Sequence, residues 1–349
     1  MNKFKLYFTL LLTTVILFSC NKDDDAAITP PRDFSEQYSA DIDSIEHYLK
    51  THHLVKVEVD GRIDVVIDSI PENNTEGLIS IWDNTEFELK SKIVKNDSRL
   101  TNLVDGRIND PVDYKMYYLI LNEGGGKKAT TTDSTFVSYR GWTLDNKQFD
   151  INNIPFWATF PKMSTAEVSL ISGFRQFTSL LRASESVTVD EENGTIIYNN
   201  YGVGVVFIPS GLGYFNSATA GIPGYSPIAF TVRLHAVRER DHDRDKVLSI
   251  FEDLNGDGDP YNDDTDGDNV PDFLDVDDDG DAVLTKNEIK YTKINPETNQ
   301  EVTLYYFFDA AEIDNPETLE DETKGIPSCS GDFVSPTRLR KHLDPNCPN

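Results

Sequence analysis

The chain has 349 residues, 38% of them hydrophobic, and a formal net charge of −28. That excess of carboxylates repels nucleic-acid phosphates and excludes them as partners, while it favours divalent cations and high solubility. The length suits two or three folded units, and beyond the first twenty residues no window approaches a transmembrane length.

Residues 1–19 read as a signal peptide rather than as fold. Lys3 and Lys5 precede an apolar run, Leu6 to Phe18, too short to span a bilayer as a mature helix. The run ends in Leu17-Phe18-Ser19-Cys20, which resembles the lipobox of bacterial lipoproteins. The resemblance implies cleavage before Cys20, a lipid anchor on its thiol, and attachment to a membrane outside the cytoplasm. Asn21-Lys22-Asp23-Asp24-Asp25 is similar to the export signal that carries some lipoproteins to the outer face of the outer membrane, and reads equally as a solvated acidic spacer. Residues 20–40, with Pro30-Pro31 and few apolar side chains, read as a tether.

An N-terminal α+β region is expected over 41–125. Ile42, Ile45, Tyr48 and Leu49 share one face of a helix predicted within 41–55. β-branched and aromatic runs predict strands in 55–67, 79–94 and 113–121. Gly124-Gly125-Gly126-Lys127-Lys128 lacks the spacing and the following Ser/Thr of a phosphate-binding loop, and reads as a loop tip. From 126 to 238 the order is strand, turn, short helix, strand, long loop, strand. Ser164-Thr165-Ala166-Glu167 has the form of a capping box, predicting a helix that carries Leu170, Phe174 and Phe177 on one face. A polar hairpin-like insertion centres on Glu191-Glu192-Asn193-Gly194. The fold class is α+β, an antiparallel sheet wrapped on a short helix, followed by a loop-rich acidic segment organised by metal.

The stretch from Val137 to Leu234 carries a family resemblance. Tyr139-x-Gly141, Phe149-Asp150, Gly173-Phe174, Ile208-Pro209-x-x-Leu212-x-Tyr214 and Gly221-Ile222-Pro223 follow one another across roughly a hundred residues. In that order they resemble the FKBP-type peptidyl-prolyl cis-trans isomerases. The resemblance implies a proline pocket lined by Tyr139, Phe149, Phe156, Leu170, Ile171, Phe174, Tyr214, Ile222 and Phe230. It also implies a pocket carboxylate at Asp150, a donor at the Ile171 backbone N–H and a polar contact at the Tyr214 hydroxyl. Phe174 stands where many relatives have Trp, and Phe215 where a Gly usually follows the Tyr. The scattered histidines and the absence of Gly-x-Ser-x-Gly or His-Glu-x-x-His patterns leave no competing catalytic constellation.

Residues 241–288 hold 18 Asp/Glu against three Lys/Arg and supply more than half of the net charge. Asp241, Asp243, Asp245 and Glu252 occupy positions 1, 3, 5 and 12 of a loop, as do Asp277, Asp279, Asp281 and Glu288. Those offsets match an EF-hand-like calcium loop, although Lys246 and Ala282 replace the Gly of position 6. Between them, Asp264, Asp266, Asp268, Asp272 and Asp275 resemble the calcium-wrapped repeats of thrombospondin type 3, and Asp253, Asn255, Asp257 and Asp259 extend the ladder. With little apolar core, such a segment (239–290) is expected to fold around structural Ca2+. The tail, 291–349, contains Cys329 and Cys347; outside the cytoplasm a disulfide between them would stabilise the loop it closes by about 3 kcal/mol.

Two functions follow. One is a lipid-anchored isomerase that assists folding of exported, proline-containing polypeptides without a catalytic cofactor. The other is a catalytically degenerate FKBP-like module for binding or adhesion at the cell surface.

Overall fold

The computed structural model describes residues 30–97, 108–219 and 221–347. The chain divides into two compact units, 1–33 and 34–349, and every element described belongs to the second. The signal peptide, Cys20 and the tether as far as residue 29 lie outside the described residues.

A helix, α1 (Phe34–Thr51), leads into the hairpin β1 (His52–Val59) and β2 (Arg62–Ser69). Six strands then form one antiparallel sheet: β3 (Lys90–Lys95), β4 (Asp113–Asn122), β5 (Ser134–Thr143), β6 (Gln148–Ala158), β9 (Gly202–Ile208) and β10 (Ile228–Arg238). Their order across the sheet is β3-β4-β9-β10-β5-β6. Between β6 and β9 lie the short helix α2 (Ser172–Thr178) and the hairpin β7 (Ser186–Val189) and β8 (Ile196–Asn199).

Every residue of β9 is buried, because the sheet is covered on both faces. On one face Val206, Ile208, Val232 and Leu234 pack with Phe174, Phe177 and Leu181 from α2 and its C-terminal turn. On the other, Val203, Val205 and Phe207 pack with Ile45, Tyr48 and Leu49 of α1 and Leu54, Val65 and Ile67 of the first hairpin. Alternation of side chains along each strand sorts the two sets. A buried polar cluster fastens this second layer. Asp64 on β2 takes hydrogen bonds from Arg140 Nε at 3.0 Å and Thr231 Oγ1 at 2.9 Å, and an ion pair from Arg233 at 2.9 Å.

The sheet draws strands from both sides of the boundary expected at 125/126, so β3 and β4 are part of the wrapped sheet and α1 with its hairpin is its outer layer. The first helix begins at Phe34, inside the expected tether, because Gln37 and Asp41 are buried against the rest of the fold. Of the predicted 79–94 strand only 90–94 is extended, as part of β3. Ser80 caps the Asp83 N–H, and the Asn84 carboxamide accepts the N–H groups of Glu86 and Phe87, so side chains bend this backbone into turns. Ser164–Glu167 opens no helix. Glu167 accepts the Met163 and Ser164 N–H groups and pairs with Arg240, which closes a free-standing turn, and α2 starts eight residues after Ser164 at Ser172.

After β10 the chain runs through acidic loops with little secondary structure, reaches the single turn α3 (Thr285–Glu288), and forms the hairpin β11 (Lys290–Ile294) and β12 (Glu301–Tyr305). The apolar core here is small: Val247, Ile289 and Ile326, with Tyr305, Tyr306 and Phe308 against them. Cys329 and Cys347 are joined by a disulfide. Arg338 and Arg340 donate to the Phe308 carbonyl at 2.9 and 3.1 Å, and Arg340 pairs with Asp309 at 2.5 Å.

Candidate functional site

Strand register gathers the aromatic residues. Phe230 on β10 lies opposite Gly141 on β5, and Gly141 lies opposite Asp150 on β6. Two residues along, Tyr139 sits between Val232 and Asn152 on the same face. Gly141 is required here, since a Cβ would fall 2.6 Å from the Phe149 ring and 2.7 Å from the Phe230 ring. Without one, both rings close over the strand.

α2 supplies the floor. Phe174 is buried, with its ring centroid 5.2 Å from Phe230 and 5.7 Å from Tyr139 at interplanar angles of 79° and 80°. Tyr139 meets Phe230 at 5.7 Å and Phe156 at 6.0 Å, and Phe149 meets Phe230 at 5.5 Å, all edge to face. In such packing the positive edge of one ring addresses the negative face of the next. Leu170, Ile171 and Ile222 pack in the same cluster. The Tyr139 hydroxyl donates to Asp150 Oδ2 at 2.5 Å, on the exposed side. Burial and that hydrogen bond raise the Tyr139 hydroxyl above its ordinary value, which keeps the proton on the donor. Tyr214 is exposed and feels the Asp150 charge; burial of part of its ring is the larger cause of its raised pKa. Eight of the ten residues expected for the pocket therefore pack in one apolar cluster, Asp150 joins it through the Tyr139 hydroxyl, and Tyr214 lies within electrostatic reach of Asp150.

Two supports were not legible in the sequence. Asp97 is buried and holds Arg175 of α2 through two bonds of 2.7 Å, accepts Gln176 at 3.1 Å and contacts Ser172. This fixes the helix whose next-door residue is Phe174. Asp41 of α1 reaches across to the rim loop, accepting the Ser210 N–H at 2.7 Å and its hydroxyl at 2.6 Å. The same helix end meets Phe215, which occupies the left-handed region at φ 46° and stacks on Phe34 with centroids 4.3 Å apart. A Phe in place of Gly is thus strained in backbone and compensated by a ring contact from α1. The β7–β8 insertion exposes Val187, Val189, Ile196 and Ile197.

The acidic segment is a run of four like loops, beginning at Asp241, Asp253, Asp264 and Asp277. In each, the fourth and sixth residues have positive φ: Arg244 and Lys246, Gly256 and Gly258, Gly267 and Asn269, Gly280 and Ala282. Lys246 at 87° and Ala282 at 72° take the conformation Gly usually supplies at position 6, so their side chains do not break the loop. In each loop the third side chain accepts the fifth N–H and the fifth accepts the seventh. Asp253, Asp264 and Asp277 also accept the N–H of the sixth.

Carboxylate oxygens converge in three groups, with one oxygen per residue inside 4.8 Å of the others: Asp264, Asp266 and Asp268; Asp277, Asp279 and Asp281; and Asp243, Asp245, Glu252 and Asp278. Of the expected ligands, Asp241, Asp272, Asp275 and Glu288 fall outside these groups. Asp272 is instead committed to Thr265, whose N–H and hydroxyl both donate to it at 2.8 Å. Burial, reinforced by neighbouring carboxylates, raises Asp243, Asp245 and Glu252 well above their ordinary values, Asp278 to about 10 and Glu288 to about 8. All-oxygen, carboxylate-rich donor sets of this kind suit a hard divalent cation.

Residues 242–320 match the family model described as BamM C-terminal. No curated protein matches the chain. Solved structures with similarity include FkpA from Escherichia coli (TM-score 0.27, 21% identity, covering 35% of this chain and 48% of that one). A peptidyl-prolyl cis-trans isomerase from Pseudomonas syringae pv. tomato has TM-score 0.28 and 21% identity, covering 40% of this chain and 80% of that one. The N-terminal domain of FKBP42 from Arabidopsis thaliana has TM-score 0.28 and 16% identity, covering 42% and 100%. The chain thus spans about half the length of the FkpA structure, at 48%. Among the described residues no helix is long and apolar enough to cross a membrane.

Proposed function

We propose that the chain is an FKBP-type peptidyl-prolyl cis-trans isomerase, anchored through Cys20 outside the cytoplasm and acting on proline-containing segments of exported proteins. One observation carries the reading: Tyr139, Phe149, Phe174 and Ile222, from four separate motifs, converge with Phe156, Leu170, Ile171 and Phe230 on one largely aromatic cluster with the Tyr139–Asp150 pair at its exposed rim. Rotation about an amide bond faces a barrier of about 18–20 kcal/mol because resonance must be broken, and no covalent intermediate is needed. The twisted amide is less polar than the planar one, so walls such as Phe174, Phe230 and Phe149 favour it over the ground state. Rim polar groups hold the flanking backbone while the ring turns.

A binding-only reading is favoured by one feature, the rim loop pinned by α1 through Asp41 and Phe34. A protease-coupled isomerisation assay on residues 21–349 separates the two. Turnover above background, lost in Phe149→Ala and reduced in Asp150→Ala, is the expected result; none above background leaves binding alone. Calcium as a structural ion in the acidic loops belongs to the same proposal, supported by the repeated loop geometry. The match of 242–320 to the BamM C-terminal family and the lipobox at Cys20 support a setting at the outer membrane.

A further inference from the structure

We infer that Asp278 completes one buried calcium site with Asp243, Asp245 and Glu252, so that a single cation joins the first acidic loop to the fourth. This rests on the reading that the acidic segment takes calcium, but it assigns a ligand that loop spacing does not.

Asp278 is the second residue of its own loop, a position that contributes no ligand to a single twelve-residue calcium loop. Its carboxylate nevertheless lies 1% exposed, and neither oxygen has a hydrogen-bond partner. Glu252, which closes the first loop, is 2% exposed with both oxygens likewise unpartnered, and Asp243 and Asp245 each present one more such oxygen. One oxygen from each of the four residues lies within 4.8 Å of the rest. Two ligands on opposite sides of a calcium ion stand about 4.6–5.2 Å apart, so this spread matches a shared coordination sphere. The buried unpartnered oxygens of the four groups number six, the lower end of what calcium takes. No amine or guanidinium among the described residues forms an ion pair with them. The nearest basic group is His342 Nε2, 4.0 Å from Asp278 and beyond hydrogen-bond reach. Four carboxylates brought together with six buried oxygens that no donor meets have a cation as their natural counterpart.

The backbone explains how Asp278 reaches the first loop. The Asp278 N–H is held by the Thr285 hydroxyl at 3.3 Å, and Thr285 N–H by the Val276 carbonyl at 3.0 Å. Its neighbours Asp277 and Asp279 face their own loop with Asp281. The two loops thereby share an ion across more than twenty residues of sequence.

Calcium titration calorimetry on the full chain after chelation tests this, with thermal unfolding in chelator beside it. Asp278→Asn is expected to bind one ion fewer, or that ion about tenfold or more weakly, while its midpoint in chelator stays at or above wild type because a buried carboxylate with no hydrogen-bond partner is gone. Glu252→Gln is expected to lose the same ion, and the double variant no further ion. Asp266→Asn, in a separate cluster, is expected to keep it. If wild type binds calcium and Asp278→Asn keeps every ion at unchanged affinity, or if the two losses add to two ions, the shared site is wrong and the calcium reading stands. If wild type binds no calcium, both fall.

Discussion

Asp97→Asn tests the claim that the pocket floor is held by a buried ion pair rather than by helix propensity. α2 has only seven residues, and its N-cap residue, Ile171, makes no side-chain cap hydrogen bond. A helix that short does not persist alone. What fixes it is the Asp97–Arg175 pair, whose members are 5% and 8% exposed. The carboxamide keeps the volume and one or two hydrogen bonds but leaves the guanidinium, lying over the Phe160 ring, without its counter-charge. Breaking a buried pair from one side costs about 3–5 kcal/mol, and the retained hydrogen bonds place the loss near 3 kcal/mol. With a urea m-value of about 2 kcal/mol/M, the midpoint should fall by about 1.5 M at constant m. Burial alone would raise the Asp97 carboxyl; Arg175 outweighs it and holds the carboxyl below its ordinary value. The folded pKa is thus below the unfolded one, so the stabilisation is fully present above about pH 4 and fades as pH falls through the folded pKa. The gap between wild type and variant should close in acid. A loss under about 1 kcal/mol at neutral pH, or a gap that does not narrow in acid, would refute the reasoning.

Asp41→Ala should cost about 2–4 kcal/mol by urea unfolding, since the Ser210 N–H and hydroxyl lose a buried charged acceptor. It should also release the rim loop, seen as faster amide exchange over 210–225; unchanged exchange would show that α1 does not hold that loop. In chelator, the raised carboxyls of Asp278 and Glu288 mean that the folded state binds more protons than the unfolded chain from about pH 4 upward. The stability of the calcium-free acidic segment is therefore expected to fall as pH rises from about 5 to about 8, and saturating calcium to abolish that slope. Limited proteolysis across 241–288 checks this, and equal resistance at both pH values in chelator would contradict it.

The aromatic cluster was legible because its chemistry is local and its spacing regular. Phe149-Asp150 sit side by side on one strand, and Gly141 marks the point where two rings need the space of a side chain. The sheet's central strands were also visible as apolar runs. What held the rest back was partnership over distance. Asp97 and Asp41 look like ordinary surface acids in sequence, and only the folded chain brings Asp97 to Arg175 and Asp41 to Ser210. The 79–94 segment has strand-like composition, yet Ser80 and Asn84 satisfy its backbone from their own side chains, a competition that period-two reasoning does not weigh.

The acidic segment shows the opposite balance. Its twelve-residue offsets could be read directly, because each loop closes on its own side chains. The sixth-position Gly could not be used as a filter, since Lys246 and Ala282 adopt the left-handed backbone without it at a cost of order 1 kcal/mol each. Such strain persists only where surrounding structure over-determines it. Asn255, Asp257, Asp266, Asp268 and their equivalents supply that constraint by accepting successive N–H groups. In Asp243, Asp245 and Asp279 one carboxylate oxygen is committed to the backbone while the other is buried without a hydrogen-bond partner. A chain of such turns therefore folds its backbone and brings carboxylate oxygens together at three points in the same step, so that charge is concentrated where the apolar core is smallest.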